Sequence, residues 1–84
     1  MVRTAKHVLA KDYTGQVLTL VNEKTHKPLV VGQKVKDFRG EVLTVVGGQA
    51  PHHSASTGRV HVESAKGWAT EYFPGVVGAK WMKL

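Results

Sequence analysis

From Gly15 onward the chain is cut by glycine or proline at intervals of roughly eight to twelve residues, the spacing of short strands joined by turns. Between the cuts lie short runs rich in valine and leucine, too short to persist as helices. A chain so divided has few choices. A small antiparallel barrel or sandwich is the economical one, because closing or stacking the sheet protects its edges.

The individual runs support that expectation. Val17 to Val21 and Leu29 to Val31 flank the polar stretch "NEKTHKP", which predicts a hairpin or wide turn with Pro28 at the entry of the second run. In "QKVKDFRGEV", Val35 lies between Lys34 and Lys36, Phe38 is expected to point inward, and Arg39-Gly40 supplies a tight turn. "EVLTVVGG" places Val42 and Val46 on one face and Leu43 and Val45 on the other, as in a central strand covered on both sides. "GRVHVES" alternates more cleanly, with Val60 and Val62 inward and Arg59, His61 and Glu63 outward. After the turn "AKG", "WATEYF" puts Trp68, Thr70 and Tyr72 on one face and Ala69, Glu71 and Phe73 on the other. Pro74 and Gly75 end that strand, and a 3₁₀ turn in "GVVGA" leads to a last strand, "KWMKL".

Upstream, Ala5, Val8, Leu9 and Tyr13 recur at helical spacing, with Thr4 as an N-cap and Gly15 past the end. A short N-terminal helix or arm is therefore expected. The 84 residues make a single domain, with 1–27 forming the arm and an extra strand and 28–84 forming the barrel. The predicted core is Val35, Phe38, Leu43, Val45, Val60, Val62, Tyr72 and Val76.

Composition narrows the chemistry. The absence of cysteine rules out disulfides and thiolate zinc sites. No apolar stretch reaches the length of about 18 residues that a spanning helix needs, and the N-terminal residues lack a signal-peptide core. A soluble, cytoplasmic protein without membrane contact is expected. The five histidines include one adjacent pair, His52-His53, whose side chains point apart on an extended chain. Neither an i, i+4 helical pair nor a His-x-His strand pair is present, so no metal site is predicted.

"HHSAS" holds a hydroxyl beside an imidazole, but in a loop that gives no fixed base and no group to orient it. Glu63 and Glu71 are expected to form cross-strand pairs with Lys or Arg rather than a catalytic dyad. "VVGG" lacks the lysine and helix of a phosphate-binding loop. No enzyme activity, cofactor or small-molecule substrate is predicted.

Twelve Lys and Arg against six Asp and Glu give a net charge of +6 and a pI near 9.9. That balance suits an anionic partner, nucleic acid first. The candidate contacts are Lys34, Lys36, Arg39 and Arg59 for phosphates, Tyr72 for stacking, and His52 and His53 in an exposed loop next to Arg59. Trp68 is a further stacking candidate, although core packing is the expected role of both Trp68 and Phe38. Trp81 stays open between core and surface.

The order "PLVVGQKVKDFRGE", "TVVGGQAP", "TGRVHV" and "EYFPGVVGAKW" resembles small proteins encoded by bacteriophages, prophages and plasmids. It also looks like an SH3-like barrel of the kind shared by KOW and Tudor modules. The resemblance covers roughly two thirds of the chain from Pro28 onward. It implies an SH3-like barrel of five to six strands and a mobile-element origin in a bacterial host cell, and it carries over no catalytic residues. Two functions follow as expectations: a non-enzymatic nucleic-acid-binding accessory protein, or an adaptor or inhibitor that docks on a host or phage protein.

Overall fold

The computed structural model describes residues 6–83. Its strands are β1 (Leu9–Lys11), β2 (Val17–Asn22), β3 (Lys34–Lys36), β4 (Val42–Gln49), β5 (Arg59–Ser64), β6 (Ala69–Tyr72) and β7 (Ala79–Lys83), with one 3₁₀ turn at Pro74–Val77. They form two antiparallel sheets, a smaller one in the order β1-β2-β7 and a larger one in the order β3-β4-β5-β6. The mostly-β expectation holds. The strands do not close into one barrel among the described residues.

The two sheets share one aliphatic core. Val8, Leu20 and Leu29 from the N-terminal third pack with Leu43, Val45, Val60 and Val62 from the larger sheet, and Val77 and Ala79 complete the cluster. Strand alternation delivers these residues, since Leu43 and Val45 on β4 face the same side as Val60 and Val62 on β5. Val35, Tyr72 and Val76 lie partly buried against the cluster, as the sequence predicts for a core role.

The predicted N-terminal helix is not formed. Thr4 and Ala5 lie outside the described residues, and Leu9–Lys11 is instead an edge strand on β2, with Leu9 opposite Thr19 and Lys11 opposite Val17. Val8 is buried while Leu9 is exposed, so the segment follows a period of two and not of 3.6. About ten residues make a weak helix, and pairing with an existing strand outweighs that propensity. Asp12 then closes the β1–β2 hairpin by accepting bonds from the Thr14 N–H at 2.9 Å and the Gln16 N–H at 3.0 Å.

The hairpin expected around "NEKTHKP" is present in reduced form. Asn22 and Lys27 are joined by a 2.9 Å backbone bond, and Val21 bridges Pro28. The run Leu29 to Val31 is not a strand, because Pro28 cannot donate to a ladder and only isolated bridges follow it. Burial on both faces belongs to β2, where Leu18, Thr19, Leu20 and Val21 are all buried, and not to β4. On β4, Val42 and Val46 are exposed, so its outer face is open. Val46 is the extra residue of a bulge, since the β4–β5 register slips between Val45 and Gly47.

Candidate functional site

The buried core contains no aromatic ring, being built from Leu, Val and Ala. Phe38 is 76% exposed, Trp68 73%, Phe73 56% and Tyr13 55%, while Tyr72 and Trp81 are half-buried. The core roles expected for Phe38 and Trp68 are therefore wrong, and each has a local cause. Phe38 occupies a turn and Trp68 the position between the β5–β6 turn and β6, where the neighbouring strands do not cover them.

The Phe38 turn is fixed by Asp37. Its carboxylate is buried and accepts the Arg39 N–H at 2.8 Å and the Glu41 N–H at 3.0 Å. Burial pushes the Asp37 carboxyl upward. The Glu41 and Arg39 backbone donors and the Arg39 guanidinium outweigh that, so its pKa lies below the ordinary value. With the turn locked, Phe38 points to solvent and Arg39 lies 5.5 Å from its ring centroid. The Tyr72 hydroxyl, followed by Asp37, holds the Arg39 pKa above its ordinary value.

The β5–β6 turn lies at the same end of the larger sheet. It is closed by the Ser64 N–H to the Trp68 carbonyl at 2.8 Å and by the Trp68 N–H to the Ser64 hydroxyl at 3.1 Å. Between these two turns runs a groove of about 450 Å³ lined by Glu41, Leu43, Lys66, Trp68, Thr70 and Tyr72.

At the opposite end of the same sheet, the loop from Ala50 to Gly58 joins β4 to β5. It is anchored at both ends. Ala50 is buried, the Pro51 carbonyl accepts the Tyr13 N–H at 3.1 Å, and buried Gly58 lies beneath the Trp81 indole. Its tip is exposed, with the His52 and His53 rings in edge contact at 4.5 Å. Next to it the Arg59 guanidinium stacks 4.1 Å from the Phe73 ring centroid and donates to the Gly58 carbonyl at 3.2 Å. His52, His53, Thr57, Arg59 and Phe73 border one cleft of about 360 Å³.

The predicted site residues thus fall into separate groups. His52, His53 and Arg59 are brought together, as expected. Tyr72 lines the groove with Trp68, whereas Arg39, in the neighbouring turn, is paired with Asp37 and Glu41. Lys34 and Lys36 lie on the outer face of β3, opposite Thr44 and Val42, and the Lys34 ammonium donates to the Thr44 hydroxyl. Glu71 pairs with His61 at 3.2 Å, not with Lys or Arg as expected, and Glu63 is in no ion pair among the described residues.

Phe73 is the functional candidate that the sequence reading did not single out. The signal was present in the alternation of "WATEYF", which puts Phe73 on the outer face beside Arg59. Among the described residues no group of three His, Asp or Glu side chains is placed to hold a metal ion. No helix among the described residues is long and apolar enough to cross a membrane.

Neither a protein-family model, nor a curated protein, nor a solved structure matches this chain.

Proposed function

We propose that this chain is a non-enzymatic nucleic-acid-binding protein, an accessory factor of a phage or other mobile element acting in the bacterial cytoplasm. The observation that carries the reading is the placement of the aromatic rings. A domain this small hides only about 60–65% of its surface on folding, so large apolar side chains are its best core material. Here four of the six aromatic residues are exposed while the core is filled by smaller aliphatic ones. Rings held in solvent by locked turns and strand ends are what base stacking requires. Arg39 beside Phe38 and Arg59 on Phe73 set a cation next to two of them, and the net charge of +6 favours a polyanion.

The strand order, with a 3₁₀ turn before the last strand, agrees with an SH3-like barrel. We take that as the architecture, with the two sheets as its two halves.

The alternative partner is a protein, and one observation favours it: Val42 and Val46 expose an apolar strip on the outer face of β4. Salt separates the two. If three phosphates of a single strand are neutralised, the slope of log affinity against log salt is about −2. Gel retardation and anisotropy with single-stranded and duplex oligonucleotides, at about 50 and 200 mM salt, should show binding that weakens at least tenfold. Absence of any binding at the lower salt would move the assignment to a protein partner.

A further inference from the structure

We propose that Phe73 and Arg59 form a subsite for one unstacked nucleotide of a single strand, the phosphate lying on one side of the Phe73 ring and the base on the other. This rests on the nucleic-acid reading and specifies where and in what form the strand is held. Phe73 lines two clefts at once, and Ser56 and Thr57 line both with it. Their volumes, about 360 and 540 Å³, fall within the range of small-molecule sites.

The smaller cleft is a place for an anion. Its charged and polar lining is His52, His53, Ser56, Thr57 and Arg59, with no carboxylate. Arg59 is held in place, stacked on the ring and bonded to the Gly58 carbonyl, so little side-chain freedom is lost when it meets a phosphate. The His53 Nδ1 accepts the Ala55 N–H at 3.2 Å, which puts the proton of the neutral ring on Nε2 and leaves a donor free.

The larger cleft is a place for a base. Pro51, Phe73, Pro74 and Trp81 give it apolar walls, with Lys80 and Glu23 as its charged members. Phe73 itself is fixed in position. Tyr72 before it pairs with Val60, Pro74 after it is fully buried, and its carbonyl accepts the Val76 N–H at 3.0 Å. Its backbone is thereby held at the strand end, and the ring is more than half exposed. A duplex keeps its base faces stacked and offers nothing to such a ring, which is why the ligand is a single strand.

The test uses Trp68→Phe, which keeps a ring at that position and leaves Trp81, in the wall of the base cleft, as the sole tryptophan. An oligothymidylate of about twelve nucleotides should quench Trp81 emission, and a duplex of equal length should not. Phe73→Ala and Arg59→Ala should each weaken binding of the labelled oligonucleotide by about tenfold without shifting the melting temperature. If the oligonucleotide binds but Trp81 emission is unchanged and Phe73→Ala binds as the parent does, the subsite is wrong and the nucleic-acid reading survives. Equal quenching by the duplex overturns the single-strand assignment. Failure of both oligonucleotides to bind at low salt removes the reading and the subsite together. Should Phe73→Ala unfold, Phe73→Leu and the Trp81 signal decide in its place.

Discussion

At Gly58 the backbone has φ 79°, and a Cβ there would stand 2.5 Å from the Gln49 carbonyl oxygen and 2.7 Å from the Trp81 indole. Gly48 is under the same ring, with a Cβ position 2.7 Å from Trp81. The two glycines make a flat seat that lets a bulky indole lie across β4 and the start of β5. Gly58→Ala combines left-handed backbone strain of about 1–2 kcal/mol with overpacking of about 1–3 kcal/mol. We predict that it lowers the melting temperature by more than about 10 °C, measured by circular dichroism, because a domain of this size loses about 4–8 °C per kcal/mol. An unchanged melt would mean that Trp81 is not seated there. Neither glycine was legible as a seat in the sequence, since a glycine beside a strand reads equally well as a plain turn. What decided the matter is a ring more than twenty residues away.

Among the elements, the turn from Asp37 to Glu41 shows how a short segment sets a functional surface. Its register follows from Lys36 opposite Val42, and Gly40 takes φ 80° to close it. Asp37 gathers the backbone donors, and Phe38 and Arg39 are displayed as a consequence. Because the folded-state pKa of Asp37 is depressed, its contribution is present above the unfolded value and is lost as pH falls through the folded one. Asp37→Ala should therefore melt below wild type at neutral pH, with the gap constant down to about pH 5 and closing below about pH 4. Melts recorded across that range check it, and a gap that persists unchanged at the acid end would contradict it.

The sequence predicted this turn from Arg39-Gly40 but placed Phe38 inside, because size and hydrophobicity favour burial and only the turn geometry overrides them. The same competition explains the N-terminal segment. Val8, Leu9 and Tyr13 fit a helical face, yet β2 offers a strand partner that no local pattern reveals. Where alternation is strict, as in "GRVHVES", direction was legible residue by residue.

For the molecule as a whole, β2, the strands from β4 to β7 and the late 3₁₀ turn were readable because turns and alternation are local, while β1 was read as a helix and Leu29 to Val31 as a strand that does not form. The division into two sheets was not, because it depends on β2 pairing with β7 across most of the chain. The candidate surface divides in the same way. His52, His53 and Arg59 are near one another in sequence and were found together, whereas Phe73 joins them only through the β5–β6 register. Under the proposed function, the rings left in solvent bind nucleic acid and contribute little to folding.

The most direct test is a triple variant, Phe38→Ala, Trp68→Ala and Phe73→Ala, titrated with a labelled single-stranded oligonucleotide beside wild type and melted in parallel. Each stacked base is worth about 1–3 kcal/mol, so affinity should fall by at least a hundredfold while the salt slope and the melting temperature stay close to those of wild type. Wild-type affinity in the triple variant would contradict the account, and so would a collapse of its stability, which would return those rings to the core.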